Sequence, residues 1–348
     1  MKALILGNTN PHLEAALRLA GCTFEAHDPL DLILYVSEHE SGYDRIYNGS
    51  QSLENPVRLK VKDFDFIVTR LSGGLEHKTV FLEHLHRNLG MYSPQTSESI
   101  KIASNKILTT LRLSQAGIKT PKTVWAKAPV HVDYIIKKMM EGLPVICKTV
   151  YGSQGAGVSI LETARTANTV LESFFKSEIN VKLQRYIEGG SKDIRAIVVG
   201  EKVVVAMERT ANKGDFRANI SKGGSGQKIE LSEQDKSICV KSAKALGMEF
   251  AGVDLMKDKD GNSYVIEVNG NPGIKIIDIT GHNFFVDLVK HCKSKAGTST
   301  QAATQQQASQ SATQGVPFIA EPSQPMTLEE IIEGFPSTQE ARRFGLWD

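Results

Sequence analysis

Apolar and polar positions change period along the chain, and each change marks a predicted element. Lys2 to Leu6 reads as a buried strand that stops at Gly7-Asn8. His12 to Ala20 then follows helical spacing, with Leu13, Ala16, Leu17 and Ala20 on one face. A second strand, Phe64 to Thr69, completes a strand–turn–helix pattern, predicting a small α/β domain that ends near Ser93-Pro94. One helix is predicted from Ser97 to Ala116, closed by Gly117. After it come a strand at Thr123–Ala126, a helix at Val132–Glu141 and a strand carrying Lys148. Thr163–Glu178 is an amphipathic helix, and Val181–Ile187 alternates as a strand. Asp193–Val199 and Lys202–Arg209 form a hairpin around Gly200-Glu201. A capped helix spans Ser232–Leu246, and a last helix spans Phe284–Cys292.

The most informative pattern is Gly252 to Gly273, where two apolar runs flank Asp260-Gly261, a strong hairpin signal. A two-residue turn there makes residues whose numbers sum to 521 face each other, so Asp254 is expected opposite Glu267. Glu267 and Asn269 share one face, and Ile266 and Val268 take the other. Like charges placed opposite each other repel, so a positive group is expected between them. An oxygen-only set fits a hard cation such as Mg²⁺. A surface hairpin with solvated acids is the plain alternative.

Composition narrows the function class. The 348 residues are 41% hydrophobic and 23% charged, with net charge +2, as in an ordinary globular protein. That charge predicts no general nucleic-acid or membrane-surface role. Cys22, Cys147, Cys239 and Cys292 are scattered without CxxC spacing, predicting reduced thiols and a cytoplasmic setting. No signal peptide and no membrane span are expected.

Candidate chemistry sits mostly in loops. Lys148 runs into Gly-Ser-Gln-Gly-Ala-Gly, residues 152–157, whose backbone N–H groups could cradle an anion beside the lysine. The spacing is not that of a P-loop, and Gly7-Asn8-Thr9-Asn10 lacks a dinucleotide fingerprint. Lys213 to Gly224 is a basic, glycine-punctuated loop, and Arg195, Arg209 and Arg217 are more cations than a plain hairpin needs. His84 and His86 are expected to be solvated.

Taken in order, these pieces resemble the ATP-grasp superfamily and, within it, the RimK-like carboxylate–amine ligases. The resemblance covers roughly residues 1 to 292. It rests on Ser104-Asn105-Lys106, Lys148 with its glycine loop, Gln184-Arg185-Tyr186-Ile187, Asp193-Ile194-Arg195, Gly214 to Asn219, Asp254, and Glu267-Val268-Asn269-Gly270-Asn271-Pro272-Gly273. It implies an α/β (α+β) ATP-grasp fold: an N-terminal α/β domain over 1–94 and two β-rich lobes, 95–187 and 188–293, sandwiching ATP. A disordered linker over 294–316 and a docking-like tail over 317–348 would lie beyond the family pattern. The tail would dock a partner or the body of the enzyme.

The resemblance also implies roles. Lys106 and Lys148 would contact phosphates, and Ser153, Gln154, Gly155 and Gly157 would close over them. Gln184, Arg185, Tyr186 and Ile187 would line adenine, with Asp193 on the ribose. Asp254, Glu267 and Asn269 would hold one or two Mg²⁺, with Mn²⁺ a possible substitute. Arg217 and Asn219, with Lys148, would stabilise the acyl phosphate and the oxyanion that follows. Arg185 departs from the glutamate common in the family at that hinge position. The implied reaction is ATP-dependent amide formation, adding glutamate or another amino acid to a peptide, a protein C-terminus or a small acidic acceptor. The alternatives are a graspetide-type macrocyclase, an ATP-binding scaffold without turnover, and a purely structural protein. Homo-oligomers are common in the family.

Overall fold

The computed structural model describes residues 1–36, 45–50, 56–126, 132–150, 157–188, 191–212 and 224–310, with backbone alone for Ala126, Asp133 and 298–310. The chain opens with β1 (Lys2–Gly7), α1 (Pro11–Leu19) and β2 (Thr23–His27). Asn10 starts α1 by accepting the Leu13 N–H at 3.1 Å, with Pro11 in the first turn, where its missing N–H costs nothing. Leu13, Ala16 and Leu17 are buried, as their spacing predicted.

Residues Asp31–Val61 belong to a second compact unit. There β3 (Leu32–Leu34), β4 (Ile46–Asn48) and β5 (Val57–Leu59) pair as an antiparallel sheet. The first unit resumes with β6 (Phe66–Arg70), and the parallel order is β2-β1-β6. At the end of β1, Gly7 has φ +111°, and a Cβ there would lie 2.4 Å from the Arg70 carbonyl oxygen. Only glycine allows that approach.

After α2 (Leu75–Glu83) comes a π-helical turn, His84–Asn88. His84 is not solvated as expected: it is buried and lies 3.2 Å from the Asn88 amide. His86 lies 2.9 Å from the Met91 carbonyl. Periodicity assigned these residues to a solvated face, and the wider π turn rotates His84 inward.

The helix expected from Ser97 to Ala116 is two helices, α3 (Ser97–Ser104) and α4 (Lys106–Gln115). Asn105 between them is extended (φ −103°, ψ 106°), and its side-chain oxygen accepts from Ile107 N at 3.0 Å and Leu108 N at 3.2 Å. Short polar side chains compete with the backbone in this way, so a strong cap ends one helix and starts the next. The break makes Lys106 the first residue of α4.

The central lobe adds β7 (Thr123–Ala126), the short helix α5 (Val132–Tyr134) with a π turn at Ile135–Met139, β8 (Val145–Thr149), β9 (Val158–Leu161), α6 (Ala164–Lys176) and β10 (Val181–Arg185). The antiparallel order is β7-β10-β8-β9. One face packs Val145, Cys147, Val181 and Leu183 against Ala167 and Leu171 of α6. The opposite face carries Lys148 and Lys182, directly paired across β8 and β10.

The last lobe is β11 (Lys192–Val199), β12 (Lys202–Thr210), β13 (Ser225–Lys228), α7 (Glu233–Ala245), β14 (Phe250–Lys257) and β15 (Ser263–Asn269). Its sheet order is β13-β12-β11-β14-β15, all antiparallel. Helices α8 (Lys275–Thr280) and α9 (Phe284–Gln310) follow. Ala3, Ile5 and Val68 of the parallel sheet share one core with Ile197, Phe250, Phe284 and Phe285. Burying each phenylalanine contributes roughly 1.5–3 kcal/mol. Helix α9 runs well past the expected end at Cys292, to Gln310, through a stretch read as linker. Alanine and glutamine are good helix formers even where nothing apolar is offered to a core. The tail 317–348 lies outside the described residues.

The central hairpin keeps its predicted register by a different route. Asp254 pairs with Glu267 and Gly252 with Asn269. Nearer the turn the pairs are Leu255 with Val265 and Lys257 with Ser263, one residue out of register. The turn is a longer loop closed by Asp258 N to Asn262 O at 3.0 Å, not a two-residue turn. A bulge at Ile266 restores the pairing beyond it. Consequently Val265 and Val268 are buried and Ile266 is half-buried, reversing the side expected for Ile266.

Asn105→Ala should cost about 1 kcal/mol of stability, the usual worth of an N-cap, read as a lower urea midpoint with an unchanged slope.

Candidate active site

The two sheets bring opposite charges to one place. Asp254, buried on β14, accepts from Arg195 Nε at 2.7 Å and Nη2 at 2.6 Å, and from Arg209 Nη2 at 3.0 Å. Arg209 also donates to Asp193, at 2.5 and 2.8 Å. Burial alone would raise the Asp254 pKa, but Arg195 and then Arg209 hold it at about 2. Burial likewise disfavours the arginine charge, yet Asp254 and Asp193 raise the Arg209 pKa above its ordinary value. Both acids on this network therefore serve first as counter-ions.

Glu267 meets lysines instead. Lys106 Nζ lies 4.0 Å from its carboxylate. Backbone bonds fix Lys106 from the other side, its N–H reaching the Val150 carbonyl at 3.3 Å. Lys148 on β8 is half-buried, and desolvation lowers its pKa. Lys106 adds to that lowering, while Glu267, Asp254 and Asp193 oppose it. Lys182 on β10 is 1% exposed, and its ammonium donates to the Lys106 carbonyl at 3.3 Å and the Thr110 hydroxyl at 3.1 Å. Desolvation, then Lys148, and to a lesser extent Lys106, bring its pKa down to about 7, with Glu267 opposing. Five cations (Lys106, Lys148, Lys182, Arg195 and Arg209) thus share this region with three carboxylates.

The glycine loop itself, with Ser153, Gln154 and Gly155, lies outside the described residues, but its stems are in view. Thr149 N–H donates to the Gly157 carbonyl at 3.1 Å, and Val150 N–H to Asn180 O at 3.1 Å. Gly157 has φ +69°, and a Cβ there would lie 2.6 Å from the Thr149 hydroxyl. Both stems thus stand beside Lys148, which pairs with Val158.

A family model for the RimK-like ATP-grasp domain matches residues 103–315. The chain is 32% identical over 305 residues to a protein named probable alpha-L-glutamate ligase from Legionella pneumophila (strain Corby), covering 85% of this chain and 96% of that one. The chain belongs to the RimK-like ATP-grasp family. A second relative of the same name, from Pseudoalteromonas translucida (strain TAC 125), is 34% identical over 246 residues, 69% of this chain and 81% of that one. Among solved structures, the ATP-grasp ligase PsnB complexed with minimal precursor matches with TM-score 0.64 at 19% identity, covering 84% of this chain and 98% of that one. The D-alanine–D-alanine ligase of Bacillus anthracis complexed with ATP matches with TM-score 0.58 at 19% identity, covering 86% and 99%. These likenesses show the shared ATP-grasp fold.

The remaining predicted positions of this RimK-like chain divide sharply. Gln184 is buried with its amide on the Thr123 hydroxyl at 3.1 Å. Arg185, the departure from the family's hinge glutamate, is exposed and pairs with Glu141. Tyr186 is half-buried and Ile187 buried where the chain leaves β10. Asn269 Nδ2 is buried with no hydrogen-bond partner. Arg217 and Asn219, with Lys213 and Lys222, lie outside the described residues. No group of three or more His, Cys, Asp or Glu residues that could hold a metal occurs among the described residues. The oxygen donors fit Mg²⁺ nonetheless. Asp254 accepts three hydrogen bonds, and an ionised carboxylate has about four lone-pair sites. Glu267 keeps a 32% exposed side chain and Asn269 adds a neutral donor two residues on.

Lys182 escaped the sequence reading because Val181–Ile187 shows only an alternating strand. Its importance comes from the register that sets it against Lys148, which no local pattern contains. All four cysteines are buried and free, as the scattered spacing predicted. No helix among the described residues is long and apolar enough to cross a membrane.

Lys182→Met should remove the cost of desolvating a buried ammonium and, with it, that group's pH-dependent share of stability. A lysine whose folded pKa is about 7 binds fewer protons folded than unfolded between there and its unfolded value near 10.4. Native stability contributed by this group therefore rises with pH across that window and is lowest below it. The variant's melting temperature should vary less with pH between about 7 and 10 than that of the native protein.

Proposed function

We propose that the chain is an ATP-dependent carboxylate–amine ligase that forms an amide through an acyl phosphate. The acid or the amine would be an amino acid, with glutamate favoured by the names of its relatives. The observation that carries this reading is a cluster of three lysines, half-buried Lys106 and Lys148 and buried Lys182, against the single carboxylate of Glu267, beside the stems of a glycine loop. A polyphosphate is the ligand that such a site would neutralise.

In the reaction, a carboxylate oxygen of one substrate attacks the γ-phosphorus of ATP, and ADP leaves. The amine then attacks the acyl carbon, phosphate leaves, and the nitrogen gives up a proton. Lys106 and Lys148 would hold the phosphates as point charges, with Gln184 to Ile187 beside adenine. Asp254, Glu267 and Asn269 would hold Mg²⁺, which offsets charge on the transferring phosphoryl group. Arg217 and Asn219, assigned by family resemblance alone, would stabilise the oxyanion; losing one such donor typically costs about 3–4 kcal/mol of barrier. No side-chain nucleophile is required. Asp254 would contribute a metal contact while remaining bound by two arginines, so its first duty is to hold the hairpin.

A second reading, a peptide macrocyclase, is favoured by fold likeness to a macrocyclase bound with precursor peptide MdnA (TM-score 0.60, 14% identity). A peptide-only substrate range would distinguish it.

ADP release should appear when Mg-ATP is supplied with glutamate and C-terminal peptides, and should fall at least 100-fold in Glu267→Ala. ATP binding without turnover under every mixture of amino acids and peptides would point to a scaffold.

A further inference from the structure

Among the described residues, three buried side-chain polar atoms have no hydrogen-bond partner: Arg70 Nε, Asn269 Nδ2 and Asn271 Oδ1. Native proteins leave few such atoms, and each calls for an explanation. Arg70 and Asn271 lie at one seam, where the end of β6 meets the loop that follows β15, and Asn269 ends β15 two residues before Asn271. Arg70 Nη1 donates to the Pro272 carbonyl at 3.2 Å, and Asn271 Nδ2 donates to the Leu71 carbonyl at 3.1 Å. Gln95 ties the seam from behind, donating to Phe250 O at 2.7 Å and Gly270 O at 2.5 Å, with Thr69 bonded to its side-chain oxygen.

The orientation of two of the groups is thereby set. The Asn271 nitrogen is committed to Leu71, so the unpartnered atom is its oxygen. The Arg70 guanidinium is held by Pro272 and packs over the Phe285 ring, 5.3 Å from its centroid. No carboxylate among the described residues pairs with Arg70, and burial lowers its pKa only to about 10, so it stays charged at neutral pH. The seam also lies at the carboxyl ends of parallel strands, where open α/β sheets bind ligands.

Two donors, one of them cationic, and one acceptor complement a carboxylate with an amino group beside it. We propose that Arg70, Asn269 and Asn271 form the seat of a free α-amino acid. Arg70 and the Asn269 amide take its α-carboxylate, and the Asn271 oxygen accepts from its amino group. The proposal rests on the ligase reading for its place in the reaction. Asn269 follows Glu267 by two residues on β15, so the seated amino acid lies next to the hairpin proposed to serve phosphoryl transfer.

The test is calorimetric titration of the protein, loaded with Mg-ADP, with L-glutamate and with its α-methyl ester. Native protein should bind glutamate and bind the ester about 10- to 100-fold more weakly, the worth of one charged hydrogen bond. Arg70→Lys should weaken glutamate binding at least tenfold and narrow the difference between acid and ester. Asn271→Ala should weaken both compounds alike, so it still tests the seat if Arg70→Lys does not fold. ADP affinity should stay within about twofold in both variants. Glutamate bound equally by native protein and both variants, ester bound as well as acid by native protein, or no glutamate bound by native protein would each overturn the proposal. Loss of glutamate affinity in the variants of a protein that releases no ADP would leave the seat standing and remove the ligase reading.

Discussion

Placing Asp254 opposite Glu267 is the constraint on which the rest of the site depends. Two carboxylates facing each other across a sheet repel, and burial makes the repulsion worse because the charges are poorly solvated. The fold resolves this asymmetrically. Asp254 is wrapped by Arg195 from β11 and Arg209 from β12, which keeps it ionised at about pKa 2. Glu267 is left to Lys106 at the start of α4 and to the lysines of the other sheet. One acid is therefore part of the architecture and the other remains open for exchange. Arg209 extends the first arrangement to Asp193, so a single chain of charge joins the two edges of β11.

Much of this was legible in the sequence, for identifiable reasons. Strands and helices with a clean period were placed closely, and the Asp254–Glu267 pairing followed from counting outward from one turn. That count succeeded through two compensating departures, a longer loop and a bulge at Ile266. Hydrophobic alternation could not reveal them, since a bulge changes which side Ile266 takes without changing its character. The break at Asn105 was hidden because Ser-Asn-Lys fits a helical pattern well enough; the backbone bonds made by the Asn105 oxygen decide otherwise. Lys182 looked like an ordinary strand residue, and Arg70 fell just beyond a predicted strand. Their surroundings come from other strands, 34 residues away in the case of Lys148 and Lys182, and register of that kind is a tertiary property.

The same break shows how local structure becomes chemistry. If 97–116 were one continuous helix, Lys106 would sit mid-helix with no special environment. As the first residue of α4 it sits at the positive end of the helix dipole, with its side chain toward Glu267. Its carbonyl is bound by the Lys182 ammonium. One lysine thereby positions another, and the second turn of the helix contributes the Thr110 hydroxyl to the same ammonium. A site assembled this way holds its cations in place before any anion arrives, which is what electrostatic preorganisation requires.

Consistency across levels is the rule for a stable fold, and departures from it tend to mark function. Here the departures share one compact unit and come from strands of three sheets. Lys182 is buried on a strand, where desolvation disfavours its charge. Arg70 is a half-buried arginine with no carboxylate partner among the described residues, and it, Asn269 and Asn271 each leave a buried polar atom unmatched. Any one of these would be a minor flaw in a protein of this size. Lys182 faces Glu267 and the other three cluster at the end of β15 and the loop after it, while the second face of the central sheet, packed on α6, shows no such cost among the described residues. Evolution maintains costly groups where a ligand repays them, and the chemistry of these groups, cationic on one side and amino-acid-like in complement on the other, describes the two substrates that an amide ligase must bring together.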